Sequence, residues 1–170
     1  TMLHRVDKNL YAGIGYFMDY FWKITEMDAT PVSTSPIKAY GYSGREMSAG
    51  WVLNVTYDSR VNQVNPPGGL FAYAYLRNNR TALGSDANWT SALIELRKYI
   101  PLPVRSGNVL AVWSYNWYTL SGKPPYLMLP GIGWDDIFNT GRGYVQSRFK
   151  DRNFMYLETE YRYRILKSGL

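Results

Sequence analysis

Four charged residues stand two apart along the chain: Glu158, Glu160, Arg162 and Arg164. Successive side chains of an extended chain point to opposite faces, so on a strand all four share one face. Two carboxylates beside two guanidiniums are chemistry for pairing charge and for receiving a further guanidinium from elsewhere. One stands in the preceding loop, in the run Gly141-Arg142-Gly143-Tyr144. A guanidinium fork matches a carboxylate with paired hydrogen bonds. Arg142 is therefore expected to reach Glu158 or Glu160, in competition with Arg162 and Arg164. Gly141 and Gly143 permit a tight backbone path on either side of it. Tyr144 is expected to pack on the same wall while satisfying its hydroxyl.

Other residue types point away from catalysis. His4 is the single histidine, so neither a histidine metal cluster nor a histidine-centred proton relay is expected. Asp135 and Asp136 are adjacent in a loop, where carboxylates are solvated or bonded to turns. Gly131-Ile132-Gly133 is followed by no helix with Lys-Ser or Lys-Thr, and no Ser has a Gly-x-Ser-x-Gly context. The chain has no cysteine, which removes disulfides and thiolate metal sites. The expectation is a protein that is not an enzyme and takes no cofactor or metal. The net charge of +6 is scattered along the sequence with no nucleic-acid reading motif, so no nucleic-acid partner is expected.

The elements that must position these residues follow a period of two. In the first long segment Leu10, Ala12, Ile14, Tyr16, Met18, Tyr20, Trp22 and Ile24 fall on one face, against a mixed face that includes Asp19 and Lys23. Trp51, Leu53, Val55 and Tyr57 oppose Asn54, Thr56, Asp58 and Arg60. Ala92, Ile94 and Leu96 oppose Ser91, Glu95 and Arg97. Val109, Ala111, Trp113, Tyr115 and Trp117 oppose Ser114 and Asn116, and Leu157, Tyr161, Tyr163 and Ile165 oppose the charged quartet. Aromatics make up 16% of residues, with 16 Tyr and 6 Trp together against 6 Phe, and these suit half-wet surfaces and strands rather than helices.

Six long antiparallel strands are expected, at 10–25, 49–60, 69–78, 89–100, 108–119 and 153–166. Their connections alternate between short Pro-containing turns and long polar loops, as in outer-membrane barrels. The fold class is all-β: an antiparallel transmembrane β-barrel or part of one, forming a single outer-membrane domain over 1–170. Tyr16, Trp22, Trp51, Leu53, Trp113, Trp117, Tyr161 and Ile165 are expected to face lipid. Glu95, Arg97, Glu158, Glu160, Arg162 and Arg164 are expected on the opposite, lumenal face.

Two stretches carry a resemblance. Tyr57-Asp58-Ser59-Arg60, with Pro67 and Gly69 in the turn that follows, resembles a strand-and-turn signature of the bacterial surface antigen family, the barrels of BamA/TamA type. Arg142-Gly143-Tyr144, then Arg148-Phe149-Lys150-Asp151, then Glu160-Tyr161-Arg162, is similar to that family's later block. The family usually has a branched apolar residue where this chain has Gly141. The resemblance implies that Arg142 lies on an external loop folded into the barrel lumen, and that the protein acts in inserting or translocating proteins at the outer membrane of a Gram-negative bacterium. It implies outer-membrane lipid, client outer-membrane proteins or accessory subunits as partners. A single-chain barrel needs at least about eight strands, so six imply a fragment or a short relative, with further strands or chains closing the sheet. A passive or structural outer-membrane barrel is the alternative, and a soluble β-sandwich that binds glycans through Tyr and Trp is a third reading.

Overall fold

The computed structural model describes residues 1–25, 36–41, 44–103, 107–135 and 139–165. These form one antiparallel sheet of seven strands in sequential order: β1 (Met2–Asp7), β2 (Leu10–Trp22), β3 (Arg45–Asp58), β4 (Gly69–Asn79), β5 (Trp89–Pro101), β6 (Val109–Gly122) and β7 (Asn153–Arg162). A short helix, α1 (Pro36–Tyr40), and two single 3-10 turns lie in the connections. Residues 8–9, 59–68 and 102–108 join strands at one end, and the longer 23–44 and 123–152, with 80–88, join them at the other.

All six expected strands are present, and β1 is an addition. Its Met2–Asp7 run carries His4, Arg5 and Asp7 and buries neither face, so no apolar periodicity marks it. Its ladder with β2 holds it, with Leu3 opposite Gly13 and Arg5 opposite Tyr11. The second expected strand begins earlier, at Arg45, because the β2–β3 ladder runs on to the Trp22–Arg45 pair. The last ends at Arg162, which leaves Arg164 and Ile165 beyond it, and position 166 lies outside the described residues. Among the described residues β1 and β7 are the sheet edges and do not pair with each other, so this is an open sheet.

The ladders sort the side chains into two faces. One register row reads Ile14, Leu53, Leu76, Ala92 and Tyr118, and the next reads Ala12, Val55, Ala74, Ile94, Asn116 and Met155. The opposite face carries Asp19, Asn54, Arg77, Glu95, Arg97, Glu158 and Glu160. Burial is inverted relative to a soluble sheet. Ile14 is 60% exposed and Leu157 71%, whereas Arg77 and Glu95 are each 4% exposed. The sheet thus covers its charges and bares its aliphatic residues, the reverse of the usual distribution.

Two expected lipid-facing residues are on the polar side. Trp113 stands opposite Arg97 and Glu158, and Trp117 opposite Leu93 and Phe154. The apolar face of β6 instead carries Leu110, Val112, Ser114, Asn116 and Tyr118. The period of this strand is as read, but the side is reversed, because its indoles serve the charged wall. Tyr16, Trp22, Trp51, Leu53 and Tyr161 lie on the apolar face as expected.

Gly50 is set by close approach: a Cβ there would overlap the Asn78 carbonyl and the Asn79 Cα of β4. Overpacking of this kind costs about 1–3 kcal/mol. Gly50→Val should therefore lower unfolding stability by at least that much in a denaturant titration. Gly44→Ala, where a Cβ meets nothing within 4 Å, should leave it unchanged.

Candidate functional site

One row of the polar face runs straight across five strands: Asp58, Phe71, Arg97, Trp113 and Glu158. Each charge in it is answered locally. Asp58 accepts from Arg60 Nε and Nη2, both at 2.9 Å. Glu95 Oε1 accepts from Arg97 Nε at 2.5 Å and from the Trp113 indole N–H at 2.8 Å. In the adjoining row Arg162 Nη2 donates to Glu160 at 3.0 Å. In each pair an acid is followed two residues later by Arg, the spacing that puts both on one face of a strand.

Aromatic rings fill the gaps between these pairs. The Arg60 guanidinium sits 4.5 Å from the centre of the Phe71 ring, and Arg97 lies 5.5 Å from Phe71 and 4.9 Å from Trp113. Arg162 covers Tyr99 at 5.5 Å. Ring faces attract cations most where water is excluded. A second cluster surrounds Arg77, which pairs with Asp19 at 2.6 Å, donates to Asn79 Oδ1 at 2.9 Å and faces the buried Trp89 ring at 5.3 Å.

The connection 123–152 brings Arg142 to this wall. Arg142 Nη2 donates to Glu158 Oε1, and the Tyr156 hydroxyl donates to the other oxygen of the same carboxylate. Of the two candidate carboxylates Glu158 is the partner, while Glu160 pairs with Arg162. A cavity of about 110 Å³ opens beside the pair, between Arg97, Trp113, Asn139 and Arg162. Tyr144 departs from expectation: it is 61% exposed and meets the Phe149 ring edge-on at 5.5 Å. Gly141 and Gly143 take positive φ, 68° and 93°. A Cβ at Gly141 would overlap the Ile132 side chain, which explains glycine rather than a branched residue before Arg142.

Asp135, expected as a loop carboxylate solvated or bonded to a turn, takes the turn-bonded form and organises this segment. Its Oδ1 accepts from the Thr140 amide at 2.8 Å and hydroxyl at 2.6 Å, and its Oδ2 from the Asn139 amide at 2.9 Å. Thr140 Oγ1 in turn accepts from Gly133 N at 2.7 Å. Burial pushes the Asp135 carboxyl up, but the Thr140 hydroxyl and the two amides outweigh it and hold it below the ordinary carboxylate value. Asp136 lies outside the described residues. Of the strand-and-turn motif, Asp58 and Arg60 are joined, Tyr57 lies on the apolar face, and Pro67 and Gly69 shape the turn. Glu95 and Arg97 share the polar face as expected, and Trp113 joins them because its indole lies on that side rather than the expected one.

Among the described residues no group of three His, Cys, Asp or Glu is placed to hold a metal, and no helix is long and apolar enough to cross a membrane. Comparison with protein-family models, curated proteins and solved structures finds no match.

The Arg142 guanidinium is 64% exposed, so its bond to Glu158 is a fastener worth about 0.2–1 kcal/mol. Arg142→Ala should therefore speed proteolytic cleavage of the 123–152 connection by no more than about fivefold, with the strands intact. Gly141→Ala, which meets both a positive φ and the Ile132 side chain, should speed it by about tenfold or more. Equal cleavage of Arg142→Ala and parent removes the fastener, and Arg142→Ala cleaved faster than Gly141→Ala reverses the order of importance. The loop is also held by the Asp135 carboxylate. Because that group is held below its ordinary value, its contribution is complete above the ordinary Asp range and is lost as pH falls through the lowered value. Asp135→Asn should abolish that part of the acid sensitivity, measured as cleavage rate against pH.

Proposed function

We propose that the chain is part of an outer-membrane β-barrel of a Gram-negative cell, related to barrels that insert or translocate proteins, with the Arg142 connection lying in the lumen. The observation that carries the membrane reading is the inverted burial: an exposed aliphatic face backed by a face of paired charges. Strands β2 to β7 are 10 to 14 residues long, and about 9–11 residues suffice for a tilted strand to cross the hydrocarbon. Aromatics on the apolar face gather toward the strand ends. Tyr20 and Trp22 stack at 5.6 Å at the end with the long connections, and Tyr57 and Tyr161 lie toward the other. Such belts suit the two membrane interfaces.

The two free edges, β1 and β7, fit a sheet completed by further strands, because unpaired backbone groups are not stable in hydrocarbon. The transport role rests on the resemblance around Arg142, together with the loop's seat on Glu158. A passive or structural barrel is the second reading, and the pairing of Asp58, Glu95, Glu158 and Glu160 with arginines favours it, since it leaves fewer of the wall's charges free for a client. A soluble glycan-binding sandwich needs a second sheet over the apolar face, and the described residues form one sheet.

Depletion of the protein in its host should lower the steady-state amounts of other outer-membrane proteins if it inserts them, and unchanged amounts would favour the passive barrel. Extraction tests the membrane itself. The protein should stay with the membrane through high-salt and carbonate washes and leave only with detergent. Release by salt alone contradicts the membrane reading.

A further inference from the structure

At the end of the sheet with the long connections, three of those connections meet around a cavity of about 170 Å³. Tyr40 lines it from 23–44, Asp86 from 80–88, and Lys123 and Pro124 from 123–152. The sheet itself contributes Glu46, the second residue of β3. Glu46 is 7% exposed, and its Oε2 is buried with no hydrogen-bond partner among the described residues. A carboxylate in that position has given up water and received neither a donor nor a cation in return, which is costly.

The two nearest connections do not supply the missing charge. Lys123 donates to the Tyr40 carbonyl at 2.6 Å and lies 4.6 Å from the centre of the Tyr40 ring. Lys150 lies over Tyr126 at 5.1 Å and Trp134 at 4.8 Å. What the cavity does supply is oxygen. Asp86 is fixed beside the residue that follows Glu46: its Oδ2 accepts from the Met47 amide at 2.7 Å, and its own amide donates to the Met47 carbonyl at 2.9 Å. Its Oδ1 has no bond of its own among the described residues. The Pro124 carbonyl accepts one hydrogen bond, from the Tyr40 hydroxyl at 2.9 Å, and a carbonyl oxygen has two lone pairs.

We propose that this cavity binds a divalent cation of the calcium type, with the carboxylates of Glu46 and Asp86 as its charged ligands. Hard cations take oxygen ligands in flexible geometry, and the cavity has room for an ion with several of its waters. The ion gives Glu46 the charge that the protein withholds, and it ties the 80–88 connection to the start of β3. Two carboxylates beside a lysine make a weak site, with Kd of about 10⁻⁴ to 10⁻³ M. Lys123 is a competitor in it, not a ligand. The site stands on the cavity and its oxygens and does not depend on the membrane reading.

The test uses full-length protein in a non-ionic detergent, freed of divalent ions by a chelator and titrated with Tb³⁺. This ion shares calcium's preference for oxygen and luminesces when a nearby aromatic ring such as Tyr40 is excited. The parent should show a saturable signal that Ca²⁺ reverses in the millimolar range or below. Glu46→Gln and Asp86→Asn should each weaken binding about tenfold or more. Lys123→Met should bind at least as tightly as the parent. Asp135→Asn, which removes a carboxylate outside the cavity, should bind as the parent does. Ca²⁺ should also raise the unfolding midpoint of the parent and leave that of Glu46→Gln unmoved, which separates loss of the site from loss of the fold. A parent with no signal that Ca²⁺ reverses overturns the proposal, and a proton on Glu46 then meets its need. Parent-like binding by Glu46→Gln, weaker binding by Lys123→Met, or an equal loss in Asp135→Asn overturns it too.

Discussion

The structure depends on burying charge without leaving it unpaired. Three arginines of the polar wall solve this in one way: Arg60, Arg97 and Arg162 each follow an acid by two residues, on β3 or just past its end, on β5 and on β7. The strands between supply rings, Phe71 on β4 and Trp113 on β6. Ion pair and aromatic thus alternate strand by strand. A buried charge costs several kcal/mol once its partner is removed, so the Asp58–Arg60 and Glu95–Arg97 pairs constrain the register of their strands and neighbours, while the more exposed Glu160–Arg162 pair does so weakly. A one-residue slip of β5 would carry Glu95 and Arg97 to the aliphatic face. The wall gives each strand a reason for its register that the apolar face, a mix of aliphatic and aromatic residues, specifies less sharply.

The same constraint accounts for the long connection. A wall of charges open to a cavity needs a partner for a carboxylate with no arginine two residues on, and Glu158 is such a group, Arg162 of the same strand being paired with Glu160. Arg142 and the Tyr156 hydroxyl complete it. The connection is itself a folded unit, with Leu129, Pro130, Ile132, Asp135 and Thr140 buried. It therefore delivers Arg142 from a preformed loop, which lowers the entropic cost of a bond that is otherwise mostly exposed.

Much of this was legible in the residues. The period of two located β2 to β7, since an exposed aliphatic face leaves a regular trace whatever solvent it meets. The seat of Arg142 was readable as a choice between Glu158 and Glu160, because both carboxylates alternate onto one face of the strand after the loop. Three things were not legible. β1 has no apolar face and exists through its ladder with β2. The side chosen by Trp113 and Trp117 depends on whether an indole is used as lipid anchor or as a lid on Arg97, and period alone is blind to that. For Asp135 the sequence left solvent and a turn both open as partners, and the choice of the amides four and five residues on depends on the loop's fold. The acid-x-Arg triplets are present in the sequence as Asp-Ser-Arg, Glu-Leu-Arg and Glu-Tyr-Arg. Read together with the strand assignment, they mark the charged wall.

If the sheet lies in a bilayer as proposed, its two faces meet different solvents. Because the chain has no cysteine, single cysteines can be placed along β7 from 154 to 161 and labelled with an environment-sensitive fluorophore after reconstitution in vesicles. Quenching by lipids brominated in the acyl chain should alternate with position, strong at 155, 157, 159 and 161 and weak at 154, 156, 158 and 160. A water-soluble quencher admitted to both sides should give the opposite phase or none. Quenching that fails to alternate, or labels at 155 and 157 that are reached from water, would contradict the account.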